Sequence, residues 1–260
     1  MDSTISKTKK SFEMSFAEAE FYNRQTKDDK HLNDILDALT LKAGDRVLDL
    51  GTGSGYLAFA IAKKHPDITV VGLDIVSNTL GRNRQKAQEY EISNIEFVDY
   101  DGINLPFERE SFDWVVTRYA LHHFPDIQHS FYEAARVLKS GGIFFISDPT
   151  PNDDDDDYDD NDFIRFVDAY MQLQDDGHNK FYTLAEFVKF ADLSGMKLIN
   201  FFESSITFPR KMGESYDDLL KRTRDEIKQS YSIEVIEDEC YITEKVVNCF
   251  FQKINGVCTG

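Results

Sequence analysis

The chain has 260 residues, 41% of them hydrophobic, and a formal net charge of −18, a size and balance that fit one large α/β domain with additions. An acidic surface repels phosphate backbones and anionic bilayers, which disfavours nucleic acid and membranes as partners. The three cysteines, Cys240, Cys249 and Cys258, lack CxxC spacing; that excludes a disulfide framework or a zinc site, and with no apolar leader or bilayer-length run the expected location is cytoplasmic.

In chain order, residues 15–40 read as a helix with Leu32, Ile35, Leu36 and Leu39 on one apolar stripe. After the turn AGD (43–45) the segment RVLDL is a strand, YLAFAIAKKH (56–65) a helix, and ITVVGLD (68–74) a strand. SNTLGRNRQKAQEY (77–90) follows as a helix, then NIEFVDYD (94–101) and FDWVVTRYA (112–120) as strands. DIQHSFYEAARVLKSGG (126–142) reads as a helix closed by its glycines, and IFFISDP (143–149) as a strand. These strands are continuously apolar rather than alternating, the pattern of a parallel sheet buried on both faces.

Beyond residue 150 the rhythm changes. The acidic run DDDDDYDDND (153–162) cannot bury apolar surface by itself. It also fails the calcium-loop pattern, because Tyr158 stands where glycine is needed, so no metal is expected. FIRFVDAYMQLQ (163–174) is helical, TLAEFVKFADLSG (183–195) is a helix with Thr183 as N-cap and Gly195 closing it, and MKLINFFESSI (196–206) is a strand. A polar helix over 214–231 and a last strand, KVVNCFFQKI (245–254), complete the pattern.

The densest signal is RVLDLGTGSGYLA, where a buried strand runs into Gly51, Gly53 and Gly55. A glycine-rich turn leading into a helix lets a ligand meet backbone N–H groups. The dinucleotide fingerprint needs a small residue where Tyr56 stands, which argues against a nicotinamide-dependent oxidoreductase. Asp49, inside the strand end, repels a pyrophosphate and suits an ammonium group. Asp74 ends the second strand, where a carboxylate binds ribose hydroxyls, and Asp101, at the end of the third, is placed to accept from an adenine amino group. Together they suit a nucleoside ligand with a cationic tail.

VLDLGTGSGYLA, VVGLDI, FVDYDGINLPFERESFDWVVTRYALHHFPD and EAARVLKSGGIFFISDP, taken in this order, resemble the class I S-adenosylmethionine-dependent methyltransferases, over roughly residues 40–150. The subgroup resembled includes the ubiquinone/menaquinone methyltransferases. The resemblance implies an α/β, Rossmann-like, doubly wound sheet of seven mostly parallel strands, helices on both faces and an antiparallel last strand. It implies S-adenosyl-L-methionine as cofactor: Asp49, Gly51, Thr52, Gly53 and Gly55 hold the methionine part, and Asp74 the ribose. Ile75 packs on the adenine, Asp101 and Gly102 flank its edge, Arg118 lies by the methionine moiety, and Tyr22 is a candidate to close over the cofactor. The expected layout is a single methyltransferase domain over 1–260: a helical cap to 40, the cofactor-binding core 41–150, an acidic loop and lid insertion 151–182, and a C-terminal sheet half 183–260 with a helical insertion at 207–241. The chain departs from the family pattern in KSGG, where KPGG is usual, and in Thr79, where methionine is frequent.

A sulfonium methyl is already activated, so a base is needed only for a nucleophile that starts protonated. The catalytic candidates are His122, His123 and Asp148, near the sheet edge where open α/β folds place ligands. Each has a plainer alternative: a loop cap or cofactor contact for the histidines, a turn initiator for Asp148. Phe163, Phe166, Tyr170, Met171, Phe181 and Tyr182 either line an apolar acceptor pocket or form the lid's own core. A cofactor-binding protein without catalysis remains the other reading of the same scaffold.

Overall fold

In the computed structural model the described residues are 3–15, 29–151, 162–173 and 177–254. Tyr22, Cys258 and the acidic run as far as residue 161 lie outside them.

The apolar runs of the first half become β1 (Arg46–Leu50), β2 (Thr69–Asp74), β3 (Ile95–Asp99), β4 (Phe112–Arg118) and β5 (Leu138–Pro149), all parallel, in the spatial order β3-β2-β1-β4-β5. Two long strands finish the sheet: β8 (Glu239–Lys253) lies antiparallel between β5 and β6 (Met196–Lys211). This is the expected seven-strand path. A three-residue β7 (Glu234–Ile236) adds an eighth strand, paired to the start of β8, and is too short to show a period in sequence. The strand order reverses between β1 and β4, and the crevice outside the carboxyl ends of strands at such a reversal is where open α/β sheets bind ligands.

Side chains two apart on a strand share a face. Val47, Val70, Val116, Phe145 and Phe250 pack under α2 (Lys30–Ala38), α3 (Tyr56–Lys64) and α4 (Ser77–Glu89). Leu48, Val71, Val115, Phe144 and Phe251 face the other way, under α5 (Ile127–Val137) and α7 (Leu184–Leu193). A further helix, α1 (Ser3–Ser15), precedes these, and α6 (Asp162–Gln172) precedes α7.

Of the helix expected over 15–40, residues 16–28 lie outside the described residues and the rest holds α2, while α1 was not expected as a separate helix; three further elements differ from the sequence expectation. The helix starting after Asp126 stops at Val137 rather than at the glycines, because Leu138 already pairs with Phe112 of β4. The polar stretch 214–231 is two helices, α8 (Glu214–Arg222) and α9 (Asp225–Ser230), separated where Thr223 donates its hydroxyl to Leu219 O and Arg224 turns extended. Finally, β6 and β8 run on as a two-stranded ribbon as far as the Lys211–Glu239 pair. The ribbon's Ile206, Phe208, Ile242 and Val246 pack with Phe166, Tyr170 and Met171 of α6 and with Phe181 in a third core cluster. These four aromatic and thioether side chains therefore form a core of their own with the ribbon. Phe163 packs against that cluster, while Tyr182 joins the α5–α7 side through Phe187 and Phe190.

Two family-like turn signatures hold loops. Arg136 donates to Leu105 O and Phe107 O while pairing with Glu133, which in turn accepts Leu105 N. Asp113 accepts Arg46 N at 2.9 Å and pairs with Lys139. Cys240 and Cys249 are buried free thiols.

Candidate active site

At the end of β1 the chain turns through Gly51, Gly53 and Gly55 with φ of 73°, 50° and 77°, a region that side chains disfavour. A Cβ on Gly51 would lie 2.7 Å from the Ala120 methyl of the β4 loop, so the absent side chain is what lets these two loops meet. The loop is pinned from β2: Gly51 N and Thr52 N both donate to Leu73 O, and Asp74 accepts Gly53 N at 2.8 Å and Val76 N at 3.0 Å. Asn83 of α4 donates to Gly53 O.

Asp49 is buried, accepts the Thr52 hydroxyl at 2.7 Å, and is pushed up to about 7 by burial against that hydrogen bond. Burial raises Asp74 as well. Arg118, at the end of β4, lies on the same face as Asp49, since Asp49 is in register with Val116 and Arg118 is two residues on. Its guanidinium stacks on the Tyr56 ring at 4.7 Å, and its Nε and Nη2 are buried with no hydrogen-bond partner among the described residues. Burial lowers this guanidinium from its ordinary value. Ser147, beside Arg118 in the β4–β5 register, approaches His31 of α2, Ser147 Oγ to His31 Nε2 being 3.3 Å.

Asp101 departs from its expected place. β3 ends at Asp99, whose carboxylate pairs with Arg84 at 2.9 Å. Asp101 stands exposed in the following turn and accepts the N–H groups of Ile103 and Asn104, which together outweigh its desolvation and hold it low. Gly102 has a φ of 85°, and a Cβ there would lie 3.2 Å from both Ile5 of α1 and Ile75. The first helix thus covers the Ile75–Gly102 corner.

The second half of the site lies past β4. Tyr119 adopts a φ of 56°, unusual for a residue with a side chain, and its hydroxyl donates to the buried Glu244. A single 3-10 turn, Leu121–His123, then carries both histidines. Asp148, buried at the end of β5, accepts Ala120 N and Leu121 N at 3.0 Å each through Oδ2. Its Oδ1 lies 2.7 Å from His122 Nδ1. Burial raises Asp148 to about 7 and drives His122 well below its ordinary value, so this imidazole is held neutral. His122 Nε2 is buried without a hydrogen-bond partner among the described residues. A neutral imidazole oriented by a carboxylate through one nitrogen presents the other as a proton acceptor.

The structure thus brings His122 and Asp148 into contact and sets His123 beside them, its ring 4.0 Å from that of His122. It adds His178 and Asp168, which sequence reasoning missed, and places Phe181, one of the pocket-or-core candidates, beside them. His178 stands 5.5 Å from His122, ring to ring, and its Nε2 is 2.6 Å from Asp168 of α6. Phe181 meets His122 edge-on at 5.1 Å. No local motif marks these residues; folding alone brings them to the β4 loop. Among the described residues no group of three or more His, Cys, Asp or Glu is arranged to hold a metal, and no helix is long and apolar enough to cross a membrane.

A doubly wound α/β sheet with a glycine turn after β1 and polar groups at the strand reversal defines a Rossmann-like enzyme class. Comparison with known proteins narrows it: the model of the methyltransferase domain family matches residues 41–189, and the chain belongs to that family. It is 32% identical over 145 residues, 56% of its length, to 54% of an uncharacterized methyltransferase, YcgJ, of Bacillus subtilis. The crystal structure of YcgJ shares the fold at a TM-score of 0.73, with 23% identity, over 88% of this chain and all of that one. Over 42% of its length the chain is 37% identical to 40% of the 27-O-demethylrifamycin SV methyltransferase of Amycolatopsis mediterranei. A demethylmenaquinone methyltransferase of Oceanobacillus iheyensis matches at 31% identity over 42% of the chain and 46% of that protein. The matches thus span about half the length of these curated relatives.

Proposed function

We propose that the chain is an S-adenosylmethionine-dependent methyltransferase that methylates a hydroxyl of a small, partly apolar acceptor. The observation that carries the cofactor assignment is the placement of Asp49 and Arg118 on one face of adjacent strands. An amino-acid tail bears an ammonium and a carboxylate, and these two side chains offer the matching charges, Arg118 with buried N–H groups that no described residue satisfies. In this reading Asp49, Thr52 and the Gly51, Gly53 and Gly55 turn hold the methionine part, Asp74 the ribose, and Ile75, Asp101 and Gly102 the adenine side; Tyr22 stays a candidate cover. The cofactor supplies an electrophilic methyl group.

The residues past β4 set the acceptor chemistry. His122 takes the proton of a hydroxyl at Nε2 while Asp148 holds Nδ1, leaving an oxygen nucleophile close to the methyl. Holding donor and acceptor together with water excluded supplies most of the rate, about 7–11 kcal/mol of barrier. His123 flanks the pair. A base of this kind favours a hydroxyl over an amine, which is nucleophilic once neutral. The relatives named for rifamycin and demethylmenaquinone methylation act on small organic molecules, and that supports the same class here.

Titration calorimetry with S-adenosylhomocysteine tests the cofactor half. Arg118→Ala is expected to weaken binding roughly 10–100-fold, in line with loss of a charge-assisted contact, with no change in the folded spectrum. Wild-type protein that gives no heat overturns the assignment. Because Asp49 must be ionised to receive an ammonium, affinity is expected to rise from pH 6 to pH 8, through its value of about 7.

A further inference from the structure

The turn that carries the two histidines is three residues long, so no continuing helix accepts or supplies its backbone bonds. Its amino end is held by Asp148, through Ala120 N and Leu121 N. Its carboxyl end is held from another segment, chiefly by one residue: Asn179 N donates to His122 O at 2.8 Å, and Asn179 Nδ2 donates to His123 O at 3.0 Å. Lys180 N adds a longer approach to His122 O, at 3.4 Å. Asn179 lies in the stretch 177–181 between α6 and α7. Its neighbours fix that stretch on both sides: His178 is tied to Asp168 of α6, and the buried Phe181 packs edge-on against the His122 ring.

We propose that Asn179 is a positioning residue for the His122–Asp148 pair, acting by clamping the carbonyls of both histidines. The inference rests on the reading of His122 as the base. The imidazole hangs from a backbone anchored from outside at each end, by Asp148 before it and by the Asn179 segment after it. Without the Asn179 side-chain bond only the main-chain bonds to His122 O hold that end; His123 O is released, the turn shifts about its Asp148 end, and the Nδ1 to Asp148 Oδ1 contact loosens. A misplacement near 1 Å at a reacting group costs about 10²-fold in rate, which makes this clamp part of the reaction geometry. Asn179 does not touch the proposed reacting atoms, so its effect passes entirely through His122.

The test reads His122 directly and needs no acceptor. Protein labelled with 15N-histidine, saturated with S-adenosylhomocysteine, is titrated by NMR, and His122→Asn assigns its signal among the six histidines. The groups that face His122 are Asp148 of β5, Tyr119 and His123 of its own loop, and His178 with Asp168 behind it from the lid side. Wild-type His122 is expected to be neutral with the proton on Nδ1. In Asn179→Asp, which places an acceptor against the His123 carbonyl, the signal is expected to move toward mixed tautomers and to titrate closer to an ordinary histidine. Asn179→Gln, which keeps the amide donors, restores part of the wild-type signal, while affinity for S-adenosylhomocysteine stays within about twofold in both variants. If wild type behaves as expected but Asn179→Asp and Asn179→Ala leave the His122 signal unmoved, the clamp is overturned and the base assignment stands. Wild-type His122 carrying its proton on Nε2, or titrating as an exposed histidine, overturns the base assignment and the clamp with it.

Discussion

Asp49 occupies a place where burial opposes its charge, and its value is raised to about 7. For an acid raised in the folded state, the stabilising contribution belongs to the protonated form. It is fully present below the unfolded value near 4 and is lost as pH rises from there to about 7. Asp49→Asn removes that dependence. The variant is expected to match wild type in melting temperature at pH 4 and to exceed it increasingly toward pH 8. The gain reaches up to about 4 kcal/mol, the free energy that goes with moving a carboxyl from near 4 to about 7, while affinity for S-adenosylhomocysteine is lost. A melting difference that does not change with pH would show that Asp49 ionises freely. At this scale the sequence was legible for position wherever a candidate sits on a strand end: Asp49, Asp74, Arg118 and Asp148 can all be found by counting along β1, β2, β4 and β5. It was illegible for Asp101, because a carboxylate two residues past a strand is equally suited to capping its own turn, and here it does. His178, Asn179 and Asp168 meet His122 only through the docking of α6 and the stretch after it.

Among the elements, α7 shows how local signals set a boundary. Thr183 accepts Glu186 N while Glu186 accepts Thr183 N, a reciprocal cap, and Gly195 follows the helix with a φ of 73°. Thr183→Ala is expected to cost about 1 kcal/mol in chemical denaturation, within the usual range for a lost cap, and to leave cofactor-product binding unchanged; a change in binding would mean that α7 reports to the cleft. The parallel half of the sheet could be read from apolar runs, because burial on both faces leaves the same mark on every strand. The ribbon formed by the far ends of β6 and β8 could not, since its half-buried pattern, with Ile206 and Phe208 inward and Ser205 and Thr207 outward, belongs to tertiary packing against α6. The break between α8 and α9 was hidden for a related reason: Thr223 and Arg224 are compatible with a helix, and only the Thr223 bond to Leu219 O and the extended Arg224 end it.

For the molecule as a whole the charge of −18 acts as a distributed strain on compactness. Screening shortens from about 30 Å at 0.01 M salt to about 3 Å at 1 M. The unfolding free energy measured by urea denaturation is therefore expected to rise with sodium chloride over that range, by on the order of 1 kcal/mol, and a flat response would place the acidic groups too far apart to matter. The sheet order carries one more consequence. The slot between β5 and β6 is filled by β8, the last strand among the described residues. On a ribosome, β6 is made before the partner that joins it to the rest, so all sixteen of its residues wait with both edges bare. The far side of the molecule can assemble only once translation has passed residue 253, which makes the interval between those two strands the moment when a nascent chain most needs a chaperone.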